Sequence, residues 1–165
     1  MSEDLDHVGR IQQQWARERP DLDTSPMGII GRLHRLADAL HAELRPVFEA
    51  AGLSDGDFDV LAALRRSGEP FALTPGQLAE TTMITSGTVT KRVDRLGAAG
   101  LVTRERVEHD GRVRRIALTD AGRVLVDQVL ERHVANEERL LHGFSDIERA
   151  RLARLLTQWT ASLGI

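Results

Sequence analysis

The sequence predicts a mainly α fold, a winged helix-turn-helix with a two-stranded β-hairpin wing and a helical dimerisation layer. Three observations carry this. A brief capped helix is followed, after a three-residue turn, by a longer basic helix. Two alternating segments around an Asp-Gly pair come directly after it. Long helices on either side carry aliphatic stripes at helical spacing.

The elements follow in order. Leu5, Val8, Ile11 and Trp15 mark a short amphipathic helix, broken by the Pro20 segment. Ser25 is placed as N-cap and Pro26 as first residue of a helix striped by Ile29, Ile30, Leu33, Leu36, Ala37, Leu40 and Leu44, with Pro46 straining its end. Ser54-Asp55-Gly56-Asp57 caps a helix through Phe58, Leu61, Ala62 and Leu64, stopped by Ser67-Gly68. Phe71-Ala72-Leu73 is a short extended piece. Thr74-Pro75-Gly76-Gln77 is a capping box with proline at the first position, opening a helix over roughly 75–82. A tight turn at 83–85 leads to a helix over 86–99, closed by Gly100.

Leu101 to Val107 alternates as a strand, Asp110-Gly111 supplies the turn, and 114–118 returns as the partner strand. Thr119 caps a long helix with Val126, Val129, Leu130, Val134 and Leu141. Ser145-Asp146-Ile147-Glu148 is a second capping box, opening a helix striped by Leu152, Leu155, Leu156, Trp159 and Leu163.

Composition narrows the function classes. The chain has 165 residues, 41% apolar and 28% charged, the balance of a globular protein rather than a disordered one. No run approaches the ~18 apolar residues of a membrane span, and the acidic MSEDLDH start lacks the apolar core of a secretory signal, so a cytoplasmic protein is expected. Cysteine is absent, which removes disulfides and thiol chemistry. Two Trp, four Phe and no Tyr make a stacking platform for single-stranded bases improbable.

The net charge is −3, yet residues 85–115 carry eight cations against four carboxylates, a local +4. A basic block in an acidic chain is the footprint of a face that meets a polyanion. On the helix from Ser86, Val89, Val93 and Leu96 form the inward stripe, and Gly87, Thr90, Lys91, Asp94, Arg95 and Ala98 the outward one. Small residues and cations there suit the major groove of double-stranded DNA. Ser86, Gly87 and Thr88 stand where helix N–H groups favour phosphate, and Arg112 on the hairpin tip is placed to enter a narrow minor groove. Thr85 and Arg114 complete the expected DNA-contacting set.

At Phe58-Asp59-Val60-Leu61, Leu73-Thr74 through Leu78-Ala79, Thr85 to Thr90 with Arg92 to Leu96, Gly100 to Arg104, and Asp110-Gly111-Arg112 before Leu118-Thr119, the chain resembles the MarR family of bacterial transcription regulators. The match runs in register from about residue 25 to the C-terminus. Gly111 departs from the family's usual Asp-Arg-Arg wing, while Asp110 and Arg112 are kept. The resemblance implies a homodimer, with 1–20 as an added N-terminal helix, 25–50 and 119–165 as the dimerisation region, and 51–118 as the DNA-binding region. A two-fold dimer reads a pseudo-palindromic operator with half-sites about 34 Å apart. It also implies a ligand-responsive regulator, usually a repressor, with a small anionic or aromatic ligand.

Trp15, the Glu18 to Asp23 run and Ser25-Pro26-Met27 resemble the urate-responsive branch. That resemblance implies urate or a related purine held by Trp15, Arg65 or Arg66, and Arg92. The acidic partner is sought near Ser67, with Glu69 and Asp59 as substitutes. Arg92 pairing with a local carboxylate or a phosphate, and Trp15 packing into the dimer core, stay open beside it. His34, His41, His133 and His142 lack metal-ligand spacing, so neither metal nor cofactor is expected. With no phosphate-cradling glycine loop or nucleophile elbow, an enzyme is not expected either. A winged-helix protein-interaction module without DNA binding is the remaining alternative.

Overall fold

The computed structural model describes residues 5–82, 86–107 and 110–164. The side chains of 86–88, 106–107 and 110–113 fall outside what it describes. The chain divides into two compact units, residues 1–45 and 46–165.

In the first unit, α1 (His7–Glu18) lies against the N-terminal part of α2 (Ser25–Glu49). Asp6 caps α1 by accepting the Gly9 N–H at 2.8 Å, and Arg32 donates to both oxygens of the same carboxylate at 2.8 and 2.9 Å. Val8, 5% exposed, sits over Gly31, where an added Cβ would come 3.2 Å from its methyl. The Gln12 amide donates to the Thr24 carbonyl at 3.2 Å. Ser25 is the first helical residue rather than the N-cap expected of it, because the Asp23 carboxylate takes the Ser25 N–H at 2.9 Å. Pro46 does not end α2, which runs three residues further, closing with Ala50 N–H on the Pro46 carbonyl.

The second unit is organised around α3 (Asp55–Arg66). Its Val60, Leu61 and Leu64 have no measurable exposure, and α4 (Pro75–Thr81), α5 (Ser86–Ala98) and α6 (Asp120–Leu140) all pack on it. Four leucines, at 61, 64, 78 and 96, are its largest fully buried apolar side chains. Each stabilises the fold by roughly 1.5–3 kcal/mol through area removed from water. Phe48 stacks on Phe58 at 4.7 Å between centroids, with the His133 ring 5.1 Å from the first and 5.3 Å from the second. The last helix, α7 (Asp146–Leu163), is opened by the Ser145/Glu148 capping box and buries none of its residues within the chain.

The expected two-stranded wing gains a third strand. β2 (Val102–Val107) and β3 (Asp110–Leu118) pair antiparallel, and β1 (Ala72–Leu73) joins the other edge of β3, giving the order β1-β3-β2. Two residues of β1 suffice because the Phe71 carbonyl also accepts from Leu118 N–H at 3.1 Å. Asp110 and Gly111, expected as the turn, are the first residues of β3, since Val107 pairs with Asp110. The β2–β3 register shifts between Arg106 and Val107, residues 108–109 lie outside the described residues, and Arg112 is third in its strand. Gly122 lets α6 cross the sheet closely, as a Cβ there would stand 2.0 Å from the Leu101 carbonyl oxygen.

The Asp6 carboxyl is held below the ordinary carboxylate range by the Arg32 guanidinium first and the Gly9 N–H second. A depressed acid adds stability above the unfolded value of about 3.9, and that contribution is lost as pH falls through the folded value. Amide exchange in α1, relative to its intrinsic rate at each pH, should therefore quicken on acidification below about pH 4. Asp6→Asn should quicken it at neutral pH and erase the acid step.

Candidate nucleic-acid interface

Local sequence builds the helix pair. Thr74 Oγ1 accepts from Gln77 N–H at 3.2 Å, and the Gln77 amide oxygen accepts from Thr74 N–H at 3.0 Å, so α4 starts on a closed capping box. Its Leu78 has no measurable exposure. At its other end Arg66 reaches across from α3 to donate to the Thr81 carbonyl, one of the acceptors a helix C-terminus leaves unpaired. Residues 83–85, Thr85 among them, lie outside the described residues.

On α5, Val89, Val93 and Leu96 are 2–3% exposed. Thr90, Lys91, Asp94 and Arg95 are exposed, as the helical period requires once those three are inside. Ser86, Gly87 and Thr88 form the first turn of the helix. The outward face is thus open, hydrophilic and cationic.

The cations are not equivalent. Among the described residues no carboxylate pairs with Lys91. Arg104 on β2 bridges to Asp94 at 2.6 Å, tying the wing to α5. Arg92 and Arg95 both turn to the N-terminus of α3. Arg92 Nη1 donates to Ser54 Oγ at 2.8 Å and lies 3.7 Å from the Asp57 carboxylate. Arg95 Nη2 donates to Ser54 Oγ at 2.8 Å and to Asp57 Oδ2. Asp57 is 1% exposed, while the Arg95 side chain is 58% exposed. Arg114 and Arg115 are exposed on β3. The register sets Glu105 opposite Arg115 and Arg106 opposite Arg114. Arg112 is described only as part of β3.

The ligand candidates are spread out. Arg65 and Arg66 line a groove of about 550 Å³ between α3 and α6, with Phe58, Leu130 and His133. Arg65 pairs there with Asp127 at 2.8 Å and lies 5.0 Å over the Phe71 ring, while Arg66 is 3.9 Å from Asp59. Arg92 is at the opposite end of α3. Trp15 belongs to the first unit and is 44% exposed. The sequence reading took Ser54 to Asp57 as a cap and left open that Arg92 meets a local carboxylate, which the structure shows to be Asp57; that Arg95 joins it there was missed. The available signal was the three-residue spacing of Arg92 and Arg95, which puts both guanidinium groups on one flank of α5.

The chain is similar in sequence and fold to known proteins. The MarR family model matches residues 51–113. The transcriptional regulator PecS of Dickeya dadantii is 45% identical over 149 residues, 90% of this chain and 90% of that protein. The solved structure of BpsR from Bordetella bronchiseptica, whose DNA binding is regulated by 6-hydroxynicotinic acid, superposes with a TM-score of 0.69 at 27% identity, over 79% of this chain and 92% of that one. The fold of AbsC from Streptomyces coelicolor superposes at 0.74, with 24% identity over 86% and 97% of the two chains.

The two faces of α5 should respond differently to truncation. Leu96→Ala is expected to cost about 2–5 kcal/mol of folding stability. Lys91→Ala should stay within about 0.5 kcal/mol of the parent, both measured by denaturant unfolding.

Proposed function

The chain belongs to the MarR family of transcriptional regulators, and on that premise we propose that it is a ligand-responsive repressor, binding double-stranded DNA as a homodimer. One observation carries the DNA reading: α5 buries Val89, Val93 and Leu96 and leaves Thr90, Lys91 and Arg95 open beside an arginine-bearing sheet. On the sequence resemblance, Thr85, Ser86, Gly87, Thr88 and Arg112 are further candidate contacts, Thr85 lying outside the described residues. A protein-only interaction module would have no use for that charge.

Homodimerisation is supported by apolar surface that the single chain leaves uncovered. On α7 Leu152, Leu155, Leu156 and Leu163 are 37–64% exposed, and on α2 Ile29 is 63% and Leu36 52% exposed. Apolar stripes of that extent on helices mark a protein interface. Residues 25–50 and 119–165 form the dimer layer in this reading, 51–118 the DNA-binding region and 1–20 an added helix. Among the described residues no helix is long and apolar enough to cross a membrane, and the place of action is the cytoplasm, where the DNA is.

The effector is a small anionic or aromatic molecule, urate or a related purine being the specific candidate; Arg65 and Arg66, which share one groove, are its first candidate contacts, and Trp15 and Arg92 are candidates on the sequence resemblance alone. The groove at Arg65 and Arg66 falls in the size range of small-molecule sites. A ligand acts by favouring one arrangement over another, a coupling of typically 1–3 kcal/mol.

Binding to the duplex upstream of the protein's own gene should fall steeply and linearly in log affinity against log salt. Lys91→Ala should weaken binding across sequences and reduce the salt slope by about 1. A salt-independent affinity, or a protein that sediments as a monomer at high concentration, would overturn the reading. Urate or xanthine should both release the duplex and change Trp15 fluorescence. Release without a fluorescence change in a Trp159→Phe background removes Trp15 from the ligand set.

A further inference from the structure

We propose that Asp57 is a positioning residue for DNA recognition: its buried carboxylate seats the Arg92 and Arg95 guanidinium groups and so sets how Arg95 meets the duplex. The inference rests on the DNA-binding reading above and goes beyond it by naming what aims the contact.

Among the described residues, three capping boxes allow a comparison. In α4 the box closes with the neutral amide of Gln77, and in α7 with Glu148, both at exposed boxes. Neither is accompanied by a described arginine contact. Only in α3 is the closing residue buried, and only there do two arginines converge on it. Capping engages one carboxylate oxygen: Asp57 Oδ2 accepts from Ser54 N–H at 2.8 Å and Ser54 Oγ at 2.7 Å. A neutral side chain would do that work, as Gln77 shows. A buried anion is costly unless it is paired, so the two guanidinium groups explain why a carboxylate can stand here.

The seat is shaped for these cations. Gly56 precedes Asp57, and a Cβ at that position would come 2.3 Å from the Arg92 Cζ. The absence of a side chain therefore leaves the space that the guanidinium fills. Asp57 Oδ1 and Arg92 Nε are both buried without a hydrogen-bond partner among the described residues, so the pair is held at 3.7 Å by charge rather than closed as a fork. Arg95 differs. Its Nη2 is committed to Ser54 and Asp57, but the side chain is 58% exposed. A guanidinium is rigid and planar, so fixing one nitrogen directs the remaining donors outward at small entropic cost. Asp57 thus converts a freely rotating cation on the recognition face into an aimed one.

A double-mutant cycle tests this. The probe is a duplex that the wild-type protein selects from a randomised pool, with an unrelated duplex of equal length as control. Affinities are measured by fluorescence anisotropy at fixed salt. Asp57→Asn should bind the selected duplex about 10-fold more weakly and the unrelated duplex with a smaller loss. In an Arg95→Ala background the same substitution should change affinity by no more than about twofold, because its effect passes through Arg95. Wild-type affinity in Asp57→Asn, or an equal loss in the Arg95→Ala background, overturns the proposal. Should Asp57→Asn fail to fold, Arg95→Lys decides: it keeps the charge and the capping box but loses the planar fork that Asp57 aims, so it should weaken binding to the selected duplex about as much as Arg95→Ala, and a parent-like affinity overturns the proposal. A wild-type protein that binds neither duplex at low salt removes the DNA reading itself, a different outcome from either of these.

Discussion

The burial of Val60, Leu61 and Leu64 on α3 is the constraint on which the second unit depends. One helix of twelve residues takes contacts from α4, α5, α6 and β3. Each of those elements spends its apolar face on α3 or on its neighbours, and what remains of each is the surface available for function. For α5 this leaves a single outward strip. The same packing that stabilises the helix therefore decides which of its side chains are offered to a partner. Leu78 and Leu96, both fully buried, fix the helix pair from either side of the turn.

Charge is distributed by the same logic. The chain is acidic overall, yet its cations gather where α5 and the sheet face outward. They divide into two kinds. Arg104 is bound to Asp94, and Arg92 is bound inward, so these act within the protein before they act on anything else. Lys91 and Arg114 stand in the open. Exposed ion pairs such as Asp94–Arg104 add little stability. The buried Asp57 has the opposite character. Its burial makes it expensive to leave unpaired, which couples the start of α3 to the middle of α5.

Uncovered apolar surface is the third structural theme. An 18-residue helix that buries nothing is unstable as part of an isolated chain, because helices draw their stability from packing an apolar face. On α7 Leu152, Leu155, Leu156 and Leu163 stay 37–64% exposed in the single chain. The fold thus combines a unit that is complete in its core with helices that are not.

Much of this was legible in the chain alone. The capping residues Ser54, Thr74, Thr119 and Ser145, the inward stripe of α5 and the alternation of β2 are local features, written in residues a few positions apart, and sequence order reveals them directly. The outward placement of Thr90, Lys91 and Arg95 followed from helical periodicity. What required three dimensions were the contacts between residues distant in the chain. Strand β1 depends on β3 some 44 positions away, the start of β3 on the Val107–Asp110 pairing, and the seating of Arg95 on a carboxylate 38 positions before it. Spacing shows which way a side chain points from its own helix. Which buried charge it meets there depends on how two helices pack, and only the folded chain decides that.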